Sequence, residues 1–552
     1  MPTVRQTLQG VVADARRRAA AAGDLSLPDN ALDTAVAIER PARPEHGDYA
    51  TNAAMQLAPL ARANPMRIAE TLCAHLQLPD EMATASVAPP GFINFKLNAA
   101  WVAGQLHTIA EAGDRFGRVR TDEPTKLNVE FVSANPTGPL TVGNARGAFV
   151  GDLLCRVLEG AGESVTREYY FNDSGAQVRN LGLSLMAART GEPIPEDGYH
   201  GEYVADLAAE LPDDVWNDAH REPDPAWPLG RWASERIRSS IEASLARLGV
   251  TFDVWKSEGS LHREGWVERG VAKLREAGYL FEEGGATWFR STDFGDDKDR
   301  VVYRSNGEPT YFAADIGYVM EKFSRGFDQL IYIWGADHHG TVPRNRAAAE
   351  ALGFDPSAIQ WLLTAWVRFV RDGVEMSMSK RAGEFVTLDE LLEEIGVDAA
   401  RWFFGSRAVT SGIDFDIELA KKQSNENPVY YVQYAHARCA SILRNAADRS
   451  VHADLAHAAL LAHPAEQALI RRLLELPDVV TDAAARRETH ELPHYCYEVA
   501  SLFSQFYRDC RVLSDDPADA SLSASRLALV DATRQVLANG LGLLGISAPP
   551  SM

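Results

Sequence analysis

The chain is short of cysteine, of positive charge and of long apolar runs, and each shortage removes a class of protein. Its five cysteines are Cys73, Cys155, Cys439, Cys496 and Cys510. None forms a CxxC pair and the count is odd, so neither a disulfide framework nor a structural zinc site is expected, and a cytoplasmic location is the default. No run of about 18 apolar residues occurs, so no membrane span is implied. The first residues, MPTVRQTLQGVVADARRRAAAAGD, lack the basic, apolar and small order of a signal peptide. Arg5, Arg16, Arg17 and Arg18 mix there with polar residues at helical spacing and read as an amphipathic first helix. Lys and Arg number 55 against 77 Asp and Glu, a net charge of −22. That argues mildly against a nucleic-acid binder, although a large acidic protein can carry a local basic patch.

What is present is an ordinary globular composition, 46% hydrophobic and 24% charged over 552 residues. The length suggests three or four domains. Residues 1 to about 115 read as a small α/β unit. From Lys126 strands alternate with helices: KLNVEFVS, then NARGAFVGDLLCRVLEGAG, then SVTREYYF, then SGAQVRNLGLSLMAART. Such alternation predicts a parallel sheet with helices on its faces. Residues from about 191 to 290, rich in Gly, Pro, Asp and Trp, read as an insertion. The alternation resumes with YFAADIGYVMEKFSRG, QLIYIWGAD, PRNRAAAEALG and a strand IQWLLTAWVRFV. Beyond about residue 427 the apolar spacing is helical throughout, which predicts a domain of four or five helices.

Four features carry chemistry. In PLTVGNARG, residues 139–147, Gly143 and Gly147 stand where a strand gives way to a helix, with Asn144 as a possible cap. Free amides at a helix start favour an anion, and the alternative is an ordinary turn. It is neither a Walker loop nor GxGxxG. In EMSMSKRAGE, Ser377 and Ser379 precede Lys380 and Arg381, which suits a triphosphate or, alternatively, an exposed basic turn. WGADHHG, with Asp337, His338 and His339, ends an apolar strand, where open α/β sheets bind ligands. Adjacent histidines are poor metal spacing. Finally Glu130, Asp315 and Asp337 lie near these strand ends, with Tyr311 four residues before Asp315 on one helical face. A cationic substrate would explain the set, and surface or capping carboxylates would explain any one of them.

Together VEFVSANPTGPLTVGNARGA, YFAADIGY, YIWGADHHG, MSKRAG and NPVYYVQYAHAR resemble the bacterial arginyl-tRNA synthetases, in the family's order and over essentially the whole chain. The resemblance implies an α/β class I fold: a Rossmann-like parallel-sheet catalytic domain with an insertion, a small N-terminal α/β domain and an all-helical anticodon-binding domain. The matching bounds are 1–120, 121–425 with the insertion at about 191–290, and 426–552. It implies ligation of L-arginine to its tRNA through an arginyl-adenylate, with ATP taken as substrate with Mg2+, no zinc and no organic cofactor. Its first step generally needs bound tRNA, and its members are usually monomers without a membrane partner. Glu130 and Asn135 match arginine-holding positions, and Tyr311 and Asp315 match the pair on the guanidinium. Asp337, the fifth residue expected at the arginine, falls where relatives often have Gln. The nucleotide signature HIGH falls on Thr141, Val142, Gly143 and Asn144, without either histidine. KMSKS falls on Ser377, Met378, Ser379, Lys380 and Arg381, without its first lysine. Thr141, Gly143, Asn144, His338, His339, Met378, Ser379 and Lys380 are the expected ATP contacts, with Lys380, Asn144 and Thr141 closest to the chemistry. The missing histidines leave one alternative, a non-catalytic tRNA-binding relative. Tyr430, Tyr431 and Tyr434 read as base-stacking or core residues, core being favoured for most.

Overall fold

The computed structural model describes residues 3–41, 43–79, 81–371, 373–375 and 386–552. In the amino-terminal unit, helices Ala53–Ala61 and Pro65–Ala74 lie on a three-stranded antiparallel sheet, with Phe92–Leu97 between Tyr49–Thr51 and Ala83–Ala88. Helix Val4–Ala21 begins at a Thr3/Gln6 capping box and packs on Pro65–Ala74. Sequence reading found Phe92–Leu97 and passed over Ala83–Ala88, whose ATASVA lacks a bulky alternating face.

The central domain runs β1 (Lys126–Glu130), α1 (Val142–Gly160), β2 (Ser164–Phe171), α2 (Ala176–Thr190), α3 (Ala226–Arg247), β3 (Val254–Ser257), α4 (Tyr311–Ser324), β4 (Gln329–Gly335), α5 (Val342–Ala351) and β5 (Ile359–Thr364). The sheet order is β5-β4-β1-β2-β3, and every neighbouring pair is parallel. The chain winds outward from β1 in one direction, then returns to add β4 and β5 on its other side. The crevice beyond β1 and β4 is therefore a topological switch point, where ligands of such sheets bind.

Two expectations need correction. Residues 191–290 are not wholly an interruption of the sheet, because β3 joins it at the edge through Glu168–Val254 to Phe171–Ser257. The segment before β3 is also part of the body. A Cβ on Gly182 of α2 would stand 1.8 Å from the Ala226 carbonyl oxygen, so only glycine lets α2 and α3 approach this closely. IQWLLTAWVRFV is two strands rather than one. β5 ends at Thr364, and β6 (Val367–Arg371) starts a separate sheet, pairing in parallel with β7 (Ile413–Asp416). The break falls at Ala365 and Trp366: both carbonyls accept from Arg146, and that of Trp366 also accepts from the Ile413 amide at the start of β7, at 3.1 Å.

Helix α6 (Val397–Gly405) leads towards five carboxyl-terminal helices: α7 (Pro428–Asp448), α8 (Pro464–Leu473), α9 (Leu476–Arg486), α10 (Glu491–Asp509) and α11 (Ala520–Leu544). Tyr430, Tyr431 and Tyr434 of α7 are all half-buried. Tyr431 packs against the core and donates to Ser504 Oγ at 3.1 Å, whereas Tyr434 faces a surface cavity beside Arg438 and Tyr507. Among the described residues no helix is long and apolar enough to cross a membrane.

Candidate active site

A cleft of about 580 Å³ opens beyond the carboxyl ends of β1 and β4. One wall is the start of α1. Its cap is Thr141, not Asn144: Asn144 is the third helical residue, and its Oδ1 accepts from both the Thr141 amide and hydroxyl at 3.1 Å. That spends the Asn144 carbonyl on closing the helix start and leaves its amide nitrogen as the donor for a ligand. Gly143 and Gly147 line the cleft one turn apart. One further turn on, a Cβ on Gly151 would stand 2.2 Å from the Phe131 ring, so glycine there lets α1 seat against the end of β1.

The second signature, with Met378, Ser379 and Lys380, lies outside the described residues. The segment just beyond it does not. Val142 donates its amide to the Val386 carbonyl at 3.2 Å, and Leu388 donates to Leu140 at 2.9 Å. A two-bond antiparallel bridge therefore fastens the first signature to the chain that follows the second.

Helix α4 forms the opposite wall. Tyr311, Asp315, Tyr318 and Lys322 recur at i, i+4, i+7 and i+11, a single helical stripe. Tyr311 is exposed at the rim, and Asp315 and Tyr318 stand deeper. Burial pushes the Asp315 carboxyl up to about 7; Arg344 opposes the shift, while Glu258 and Glu130 add to it. Glu258 is raised too, first by burial, and accepts from the Tyr170 hydroxyl at 2.7 Å. The described lining of the cleft carries four acids, Glu130, Glu258, Asp315 and Asp337, against one arginine, Arg344, an excess that prepares it for a cation.

Glu130, at the end of β1, is almost wholly buried. Its Oε2 accepts from Lys322 Nζ at 2.6 Å and its Oε1 from Ser133 Oγ at 3.3 Å. Asn135 also lines the cleft, held by Gln177 at 2.8 Å and the Asn172 amide at 3.3 Å. Asp337 and His338 reach it from the short helical turn Ala336–Thr341, with His338 Nε2 3.6 Å from Asp337. His339 differs: it is exposed, its Nδ1 lies 3.1 Å from the Ala336 carbonyl, and it is not among the residues lining the cleft.

Nine of the expected residues thus share one cleft: Glu130, Asn135, Thr141, Gly143, Asn144, Tyr311, Asp315, Asp337 and His338. Sequence reading missed Glu258, Ser133 and Arg344. Glu258 directly follows β3, so the rule that flagged the other strand ends would have found it once β3 was recognised. Ser133 and its neighbour Val132 take positive φ, 43° and 66°. For a β-branched valine that is a strained conformation, of the kind that clusters at ligand sites.

Known proteins match along the same division of the chain. The family model for the arginyl tRNA synthetase N terminal domain fits residues 4–97. The one for the catalytic domain of class I (R) tRNA synthetases fits 228–403, and the DALR anticodon binding domain fits 432–552. The arginyl-tRNA synthetase structures of Thermus thermophilus and Plasmodium falciparum superpose over 100% of both chains with TM-scores of 0.75 and 0.77 at 24% and 16% identity, a likeness of fold. The arginine–tRNA ligase of Moorella thermoacetica is 46% identical over 565 residues, spanning 99% of each chain. With a likeness that close over its full length, the chain belongs to the arginyl-tRNA synthetases, the class I arginine–tRNA ligases.

Proposed function

We propose that the cleft holds arginine and ATP side by side, with the acids of α4 and β1 on the amino acid and the start of α1 on the nucleotide. The observation that carries this reading is that a single cleft is lined both by Glu130, Tyr311 and Asp315, from β1 and α4, and by Thr141, Gly143 and Asn144, from the start of α1. Asp315 and Tyr311 take the guanidinium, a planar cation suited to a carboxylate fork. Glu130 and Asn135 complete the arginine site. The amides of the first turn of α1, the Thr141 hydroxyl and the Asn144 amide nitrogen hold phosphate oxygens. Asp337 joins the arginine set, and His338 approaches the nucleotide.

In the first step an arginine carboxylate oxygen attacks the α-phosphorus of ATP. The bond to the bridging oxygen breaks, and pyrophosphate leaves with its electrons. In the second step a terminal ribose hydroxyl of the tRNA attacks the acyl carbon, and AMP departs. No side chain acts as a nucleophile, so the protein's contribution is orientation and charge stabilisation. Lys380 is the main side-chain cation on the leaving pyrophosphate, because PTGPL supplies no lysine ahead of the first signature. ATP is taken as its magnesium complex. The protein acts in the cytoplasm as a monomer, with domains at 1–120, 121–425 and 426–552. Aminoacylation of total tRNA with each of the twenty amino acids tests the reading. Arginine alone should be charged, with pyrophosphate exchange dependent on tRNA, and Lys380→Ala should slow that exchange by about a hundredfold or more. Near wild-type exchange by the variant would remove Lys380 from the chemistry.

A further inference from the structure

The stripe of α4 that faces the cleft does not end at the residues that touch it. Lys322, eleven residues beyond Tyr311, lies on the same stripe with no exposed surface at all. Its Nζ is 2.6 Å from Glu130 Oε2 and 4.0 Å from Glu168 Oε1. It also lies 4.4 Å from the centre of the Tyr318 ring and 4.1 Å from that of Tyr332. Glu130, Tyr318 and Tyr332 all line the cleft, and Lys322 does not. It is a cation placed directly under the floor of a site built to receive cations.

Such a placement needs a reason, because a lysine without water is costly unless its partners repay it. Glu168 cannot be the whole reason. That carboxylate already accepts from Asn128 Nδ2 at 2.8 Å, from the Tyr318 hydroxyl and from Arg325. Burial would raise Glu168, yet Lys322 and Arg325 together hold it below its ordinary range. Glu130 has less: Ser133 on one oxygen and Lys322 on the other. The other charged groups nearby are the acids Asp315, Glu168 and Glu258 and two cations that face those acids, Arg344 beside Asp315 and Arg325 on Glu168, and the rings of Tyr170, Tyr318 and Tyr332 surround them. Lys322 is therefore the one cation bonded to Glu130 among the described residues.

We infer that Lys322 is a positioning residue for arginine recognition: by holding one oxygen of Glu130 from beneath, it keeps that carboxylate turned so that its other oxygen meets the substrate. It touches neither arginine nor ATP and acts only through Glu130. The inference rests on the assignment of Glu130 to arginine given above.

Lys322→Met leaves the buried Glu130 carboxylate with no cation bonded to it among the described residues. Without that bond nothing holds the carboxylate in the orientation that meets the substrate. In tRNA-dependent pyrophosphate exchange the variant should therefore show a KM for arginine raised about tenfold or more at pH 7, with the KM for ATP within about twofold of wild type. Lys322→Arg, which keeps the charge, should recover most of the arginine affinity. Glu130→Gln and the double variant Glu130→Gln/Lys322→Met complete the set. The double variant carries no unpaired carboxylate at this place, so it serves if Lys322→Met alone does not fold. A double variant no worse for arginine than Glu130→Gln supports action through Glu130, and a full multiplication of the two effects overturns it. An unchanged KM in Glu130→Gln would remove Glu130 itself from arginine binding and take the inference with it. A raised KM in Glu130→Gln beside an unchanged one in Lys322→Met would refute the role of Lys322 alone.

Discussion

Asp315 is an acid in the wrong solvent. Burial raises its carboxyl to about 7, so near neutral pH it is divided between a neutral form and the carboxylate a guanidinium requires. Above that value the site is ready for a cation; below it, binding must first expel a proton. The KM for arginine should therefore rise as pH falls from 8 to 6, while that for ATP stays level. Asp315→Asn should raise the arginine KM by about tenfold or more and flatten its pH dependence. An equal rise in both substrates' KM would count against a guanidinium contact. Stability runs the other way. An acid raised in the fold binds its proton longer than in the unfolded chain, whose aspartates ionise near 4. Stability of the empty protein from this group is thus lost between about pH 4 and 7. Tyr311 and Asp315 were legible because one helical face carries both. Lys322 was not, although the same spacing leads to it. It ends a helix, where a lysine normally faces water and complements the helix dipole, and only Glu130, 192 residues earlier, turns it inward.

At the scale of elements, the central arrangement is how α1 holds two distant pieces of chain. The Val142–Val386 and Leu388–Leu140 bonds fix the segment after the second signature. Arg146, one turn into α1, fixes the segment before it. Its guanidinium is almost fully buried and donates to four carbonyls: Ala365 at 2.8 Å, Trp366 at 3.3 Å, Ala408 at 2.9 Å and Ser411 at 2.7 Å. Those residues lead into β6 and β7, so one side chain sets both strands against α1. The one cation in PLTVGNARG is Arg146, and it points into the protein. Lysine has three donors on a single nitrogen and cannot span four carbonyls. Arg146→Lys should cost about 2–4 kcal/mol through the orphaned carbonyls and should lower kcat for pyrophosphate exchange more than it raises the arginine KM. A variant with wild-type thermal stability and exchange would refute this. Strand–helix alternation was readable because hydrophobic periodicity is local. The break in IQWLLTAWVRFV was not, because its cause is a residue some 220 positions earlier.

For the whole molecule the same logic joins domains. Arg401 of α6 is buried, and burial lowers its affinity for its proton against the pull of Asp152. It donates to the Leu544 carbonyl at the end of α11 at 2.9 Å, to Leu248 just beyond α3 at 2.8 Å, and to Asp152 of α1. The last turn of the helical domain, the segment before β3 and the helix of the nucleotide loop therefore meet on one guanidinium. The three domains were legible as changes of pattern along the chain, whereas their joint was not, since α6 and α11 carry no local sign of each other. Asp152 would keep Arg156 at 2.6 Å if Arg401 were lost, but the carbonyls of Leu544 and Leu248 would be left without that donor. Arg401→Met should therefore destabilise by about 3–5 kcal/mol, and most at the boundary between domains. Scanning calorimetry should show a helical-domain transition several degrees below that of the catalytic domain, more widely separated than in wild type. Unfolding of the variant with an unchanged profile would mean that the domains are joined by their apolar contacts and not by this residue.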